Sequence, residues 1–535
     1  MDRVRRELLK LVGKAAAGTI GCAIVSRNTG AATAPIPGAG AVFDVRSFGT
    51  VGDGKAIDSL AINRAIEAAA SMGGTVYLPA GRYACYSLHL KSAVSLYLDQ
   101  GCVIIAADTP RQGTTSGYDP AEPNAPWEAF QDFGHNHWHN SLIWGENIHD
   151  VAIFGPGLIW GRGLARGHDD PELPIAEAPG VGDKAIALKN CHNIIFRDLS
   201  MLACGHFAIL ATGVDNLTID NLKIDTNRDG IDIDCCRNVH ISNCSVNSPW
   251  DDGICPKSSF ALGYARATEN VTIANCYVTG GYEVGSLLDG RFKPFPDTNH
   301  GWQPTGRIKC GTESNGGFKN ITIANCVFES CRGLALETVD GGIMEDITVT
   351  GVTMRDIRNA PLFIRLGSRL RGPTGIPVGT LKRVLISNVT CNAPLNDMPS
   401  IIGGVPGHAV EDIKINNCSF LHRGGGTAKM AALQPSKRPS DYPEPARFGP
   451  LPAQHFFIRH ARNLEFNNVE LRAVAVDARP SFWLSDVSSL DLMHVKLPSG
   501  IGPTVSLNNV SDFRALANRG LKDVSIEGPI SQMQL

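Results

Sequence analysis

The sequence has little net charge, no long apolar run in its body and no Cys-x-x-Cys pair, and each absence removes a class of function. Its 49 Lys and Arg nearly balance 52 Asp and Glu, for a formal net charge of -3. No whole-molecule field would gather nucleic acid, so no nucleic-acid partner is expected and any anionic substrate must be held by local Arg and Lys. No stretch of about 18 uncharged apolar residues occurs in the body, so no spanning helix or membrane partner is expected. Without a Cys-x-x-Cys pair the usual cysteine metal frameworks are missing. No metal or other cofactor is expected.

What is present is glycine, at 57 residues, and proline, at 32, which suits a chain with many turns. The 15 cysteines are an odd number. Six recur after a polar residue: Asn190-Cys191, Asn243-Cys244, Asn275-Cys276, Asn325-Cys326, Thr390-Cys391 and Asn417-Cys418. That regularity predicts a buried stack of thiols, since cysteine packs as a small hydrophobe. Residues 1–34 read as an address and not as fold. Arg5-Arg6-Glu7-Leu8-Leu9-Lys10 resembles a twin-arginine export signal, and Ala32-Thr33-Ala34 is a candidate cleavage site. The expected destination is the periplasm or the cell exterior, with residues 35–42 as a linker.

From about residue 147 the chain repeats a short unit, polar-aliphatic-x-aliphatic-x-Asn-aliphatic. Copies begin at Asn193, Asn216, Asn238, Asn270, Asn320, Asp346, Arg383, Asp412, Asn463 and Ser489. Asn216 follows Asn193 by 23 residues, and Asn238 follows Asn216 by 22. Alternation within each copy predicts a strand, with Val239 and Ile241 on one face and His240 and Ser242 on the other. One such strand cannot bury its inner face alone, so the copies must stack into a solenoid. A propeller blade needs about 40 residues or more, and the leucine-rich consensus is absent. The expected fold is all-β: a right-handed parallel β-helix. The Asn before each Cys is expected to bond backbone in the next rung. Ala61-Ile62-Asn63-Arg64-Ala65-Ile66 has helical spacing, with Asp58 or Ser59 as N-cap, and predicts a helix that caps the N-terminal end. Residues 43–110 would hold that cap and the first turns, and 111–535 the catalytic β-helix with inserted loops.

Three segments carry chemistry: Asn227-Arg228-Asp229-Gly230-Ile231-Asp232, Asp251-Asp252-Gly253-Ile254-Cys255-Pro256-Lys257-Ser258, and Arg307-Ile308-Lys309. Asp229 and Asp251 are 22 residues apart, one repeat. Stacked rungs lie about 4.8 Å apart, so Asp229, Asp251 and Asp252 fall together. Clustered carboxyls push one another's pKa values apart, leaving one protonated and another ionised. Glycoside hydrolysis needs that pair, an acid for the leaving oxygen and a base for water. Asp232 and Asp234 taken singly read as turn residues. Arg307 and Lys309 alternate, face one way, and suit a carboxylate-bearing sugar.

Together these segments resemble glycoside hydrolase family 28, the polygalacturonases, from about residue 43 to at least 370. The resemblance implies that Asp251 is the general acid, that Asp229 and Asp252 activate water, and that Arg307 and Lys309 hold a uronate carboxylate. It implies inversion, with no covalent intermediate and no metal. Two positions depart from the family. Its Gly-His-Gly is replaced by Thr279-Gly280-Gly281-Tyr282, and Arg228 stands for the usual Thr.

Tyr282 therefore joins the candidate substrate ligands. So do His135 and His137, which alternate with His139 as on a strand, and Glu337 and Arg365, which follow Arg307 at further rungs; Asp340 and Arg369 could extend the cleft. Residues 424–455, rich in Gly and Pro, read as an inserted loop that walls one end of the groove. Long inserts at 106–140 and 289–306 favour a closed pocket and exo action. The expected partner is an acidic, pectin-like polysaccharide, and the chain is expected to be a monomer. Two alternatives stand beside hydrolysis. A polysaccharide lyase on the same scaffold would form an unsaturated product. A carbohydrate-binding solenoid would need no acid cluster.

Overall fold

The repeat dictates the architecture. A computed structural model describes residues 41–108, 117–132, 134–166, 178–296 and 304–535. The export signal and residues 35–40 of the linker lie outside these residues. Ala41 and Val42 do not belong to a linker, because they start the strand Ala41–Asp44. No helix among the described residues is long and apolar enough to cross a membrane.

Each turn of the solenoid gives a short strand to each of three parallel stacks. The first stack runs through Ser141–Glu146, Lys184–Lys189, Phe207–Thr212, Asp229–Asp234 and Ile254–Lys257. It continues by way of Ile254 and Ile308 to Lys309–Cys310, Leu334–Thr338, Leu362–Leu366 and Ser400–Gly403. A second stack contains His192–Arg197, Asp215–Asp220, Arg237–Ser242, Thr268–Ala274 and Phe318–Ala324. The third holds Ser200–Leu202, Lys223–Asp225, Ser245–Asn247, Tyr277–Thr279 and Val327–Glu329. In-register pairing puts like on like. Ile186, Ile209, Ile231, Ile254 and Ile308 form one fully buried column. Each contributes roughly 1.5–3 kcal/mol by leaving water, and the column works only if the next turn is there to cover it.

The Asn positions do something other than expected. The residues that open the copies all have positive φ, from Asn193 at 57° to Ser489 at 58°. Asn tolerates this left-handed bend better than most residues. Its side chain bonds the side chain one rung away rather than backbone: Asn238 Nδ2 donates to Asn216 Oδ1 at 2.8 Å, and Asn216 to Asn193 at 2.9 Å. A second ladder runs through the Asn that precedes Cys, where Asn243 donates to Asp220 at 2.7 Å and Asn275 to Asn243 at 3.3 Å. At Gly351 (φ +66°) glycine takes the same bend without a side chain.

The thiol stack is real but shorter than predicted. Register aligns Cys244, Cys276 and Cys326, flanked by Leu222 and Val352, and Cys418 rejoins the column after Val389. Cys391 pairs with Phe420 in another column, and Cys191 lies before its second-stack strand rather than after it. All fourteen described cysteines are buried and free.

The predicted helix is Ser59–Ala70, burying Ile62, Ala65, Ile66 and Ala69 against the first strands. Asp58 stands at its N-cap but does not cap it. Its carboxylate accepts from the Val51 and Gly52 amides at 2.7 and 3.0 Å.

Two loops then cover the outer face of the first stack. Trp138 packs on Ala187, Phe207 and Leu210 on one side. On the other, Leu451 and Ala453 of the 424–455 insert cover Ala335, Phe363, Ile401 and Trp483. The rungs between are left to polar side chains.

Candidate active site

Ile231 and Ile233 point into the core, so Asp232 between them points out. Asp229 and Asp252 occupy equivalent places, each two residues before a column isoleucine. Gly230, after Asp229, is there for close approach, since a Cβ on it would lie 2.3 Å from the Gly253 carbonyl oxygen. That contact brings the carboxyls together. One oxygen from each of Asp229, Asp251 and Asp252 lies within 4.8 Å of the others.

Their surroundings differ. Asp252 is buried, which alone would raise its pKa, but Lys309 and Arg307 outweigh burial and hold it ionised, well below the usual carboxylate range. Lys309 Nζ is 2.6 Å from Oδ2, and Arg307 Nε is 2.9 Å from Oδ1. Asp229 is pushed the other way, well above that range, by burial and by the charges of Asp232 and Asp251. Asp232, also buried, rises to about 8 despite Lys257 at 3.7 Å. Asp251 is the open member of the trio, with 26% of its side chain exposed and Arg228 bonded to it at 2.9 Å. Trp250 beside it is 39% exposed and offers an aromatic face.

The candidate substrate ligands divide. Arg307 is 2% exposed and held between Asp252 and Glu444, so in this state it does not face a sugar. Lys309 is likewise spent on Asp252. Glu337 is fully buried beside both cations; burial raises it to about 7 against their pull, and neither oxygen has a hydrogen-bond partner among the described residues. Arg365 turns from the groove to donate to the carbonyls of Gly404, Lys437 and Arg438, which pins the insert. Arg369 is taken by Asp340. The Tyr282 hydroxyl goes to Glu329 at 3.1 Å.

The three histidines do not share a strand face. His135 lies edge-on against Phe207 and is kept neutral by burial, its pKa pushed down to about 3. His137 bonds Glu128 at 3.3 Å, and His139 bonds Glu146 at 3.1 Å while lying over Trp144.

Sequence reasoning missed Glu444, which reaches back from the insert to Arg307, Arg332 and Asn359. Nothing in a Pro-rich loop signals that contact. It also missed His206, whose Nε2 is 3.8 Å from Asp229 Oδ2 and whose ring burial keeps neutral. That signal was present, for His206 stands one repeat of 22 residues before Arg228.

Residues 42–248 match the family described as rhamnogalacturonase A/epimerase, pectate lyase-like, and residues 177–370 match the right-handed beta helix region. The chain is polygalacturonase-like. A probable polygalacturonase of Vitis vinifera is 24% identical over 58% of this chain and 60% of its own length, and an exopolygalacturonase of Arabidopsis thaliana 23% identical over 73% and 82%. The chain thus spans less than two thirds of the Vitis protein. The structure of a family 28 exopolygalacturonase from Yersinia enterocolitica superposes with a TM-score of 0.63 at 19% identity, over 84% of this chain and 78% of that one. The polygalacturonase-like fold is therefore the right-handed parallel β-helix expected.

Proposed function

We propose that this protein is a glycoside hydrolase that cleaves a uronate-containing, pectin-like polysaccharide. The observation that carries the reading is the split trio. Asp252 is kept ionised, Asp229 is kept protonated, and Asp251 opens to solvent within 4.8 Å of both. Asp252 is the base that takes a proton from water. Asp251 is placed to protonate the leaving oxygen; Asp229, expected to activate water with Asp252, is pushed toward its neutral form by burial and its acidic neighbours and leaves Asp252 as the single base.

Asp252 is a weak base while two cations hold it, because a proton acceptor works best near the ambient pH. A substrate carboxylate that draws Lys309 toward itself would release Asp252. Uronate recognition and base activation are then one event. The loops over the first stack support a closed, exo-acting site. Export by the signal at 1–34, to the periplasm or beyond, belongs to the same reading.

Likeness to family 28 supports inversion. The test is hydrolysis of polygalacturonate followed by proton NMR of the first product. Release of reducing ends with inverted anomeric configuration is expected. No reducing ends, or an unsaturated ultraviolet-absorbing product, would defeat the proposal; retained configuration would defeat inversion alone.

A further inference from the structure

A cavity of about 240 Å³ opens on the same face of the solenoid as the acids. Asp119, Glu122, Asn124, His137, Asn140 and Asp183 supply its polar lining, with Pro179 on its apolar wall. The register ties it to the acids. Asn140, Asp183, His206, Arg228 and Asp251 occupy equivalent positions on five successive rungs, each three residues before a column isoleucine. Asp183 is therefore three rungs from Asp251, about 14 Å at roughly 4.8 Å per rung, within reach of one substrate chain.

The lining is rich in acceptors and poor in available cations. Asp119 Oδ2 accepts from His89 and Trp144 at 2.7 and 2.8 Å. Glu122 Oε2 accepts from the Trp138 amide at 2.8 Å, and Oε1 lies 3.6 Å from His139 Nε2. His137 is 6% exposed, and its Nδ1 has no hydrogen-bond partner among the described residues. The Lys184 ammonium is already engaged by Asp183 and by Asn140 at 3.2 Å. Three carboxylates with one committed ammonium repel an anion. A divalent cation prefers several oxygens that converge on it alone, and here Lys184 sits on Asp183 while backbone amides occupy Glu122. A hydroxyl donor fits the acceptor that remains, His137 Nδ1.

We propose that this cavity is a subsite for an uncharged sugar, binding through its hydroxyls. The proposal deepens the hydrolase reading, and gives the substrate a neutral residue near its uronates. The binding test needs no cleavage, so it stands or falls apart from that reading. Full-length protein is titrated calorimetrically with L-rhamnose, D-galactose, L-arabinose, D-galacturonate and calcium chloride, each alone. At least one neutral sugar should saturate below about 100 mM, and galacturonate, which the acid site would hold, should bind the cavity-filling Ala121→Trp variant as well as it binds the wild type. Glu122→Gln, and Ala121→Trp as a variant that fills the cavity while keeping every acid, should each weaken the neutral sugar by about ten-fold or more. Absence of neutral-sugar binding, loss of galacturonate binding in the Ala121→Trp variant, displacement of the sugar by calcium, or unchanged neutral-sugar binding in both variants would overturn it.

Discussion

Replacing Glu337 by Gln should change how stability depends on pH, because Glu337 is a fully buried carboxyl with no hydrogen-bond partner among the described residues. Its pKa rises from 4.5 to about 7 in the fold, burial outweighing Lys309 and Arg307. An acid raised in this way binds its proton more tightly folded than unfolded. Its contribution is complete below about 4.5 and is lost as pH rises to about 7, at about 1.4 kcal/mol per pH unit, or roughly 3 kcal/mol over the window. Gln has the same shape and no proton to lose. In urea unfolding at several pH values, the wild type should therefore lose stability relative to Glu337→Gln by roughly 3 kcal/mol between pH 4 and 8. The comparison cancels the other titrating groups only if they are unchanged, and the Lys309–Asp252 pair is the one to check, through the variant's catalytic pH profile. Parallel stability profiles for the two proteins would refute the argument that Glu337 is a buried neutral acid.

Lys309→Met should cut catalytic efficiency on an acidic polymer by about ten-fold or more, since a charge-assisted hydrogen bond contributes roughly 1.5–3 kcal/mol. The loss should shrink on a methyl-esterified polymer, and the acid limb of the pH–rate profile should move up as Asp252 loses a neighbouring cation; equal losses on both polymers would place Lys309 outside uronate recognition. Arg365→Leu removes the two hydrogen bonds, to the carbonyls of Lys437 and Arg438, that hold the 424–455 insert, so limited proteolysis should cut that insert markedly faster than in the wild type, and an unchanged digestion rate would show that the apolar contacts of Leu451 and Ala453 suffice. Exo action predicts only monomer or dimer from the earliest time points on polygalacturonate, and early oligomers of mixed length would count against it.

Much of the scaffold was legible because the repeat is written at every turn. Period-two alternation marks the strands, and a polar residue every 22 or 23 positions marks the bends. The errors came where two bends of one turn carry the same dipeptide: Asn190-Cys191 and Asn243-Cys244 look alike in sequence and occupy different columns. Asp229, Asp251 and Asp252 could be brought together from spacing alone, because one repeat is one rung. What surrounds them could not. Arg307 was expected to face substrate, yet its second partner, Glu444, is 137 residues away in a loop whose path no periodicity encodes. Asp232 reads as a turn residue singly and becomes a buried acid only when its neighbours Ile231 and Ile233 are seen in the core. The histidines at 135, 137 and 139 alternate as a strand would, but they lie in a covering loop where alternation has no packing to enforce it.

The central claim is that the trio of carboxyls performs hydrolysis, and Asp251→Asn tests it most directly. The substitution keeps size and the acceptor oxygen facing Arg228 but cannot supply the proton. Initial rates of reducing-end release from polygalacturonate should fall by roughly 10²–10⁴-fold, the usual worth of a general acid, with folding unchanged by circular dichroism. A correctly folded Asp251→Asn protein that releases reducing ends within a few-fold of the wild-type rate would contradict the account.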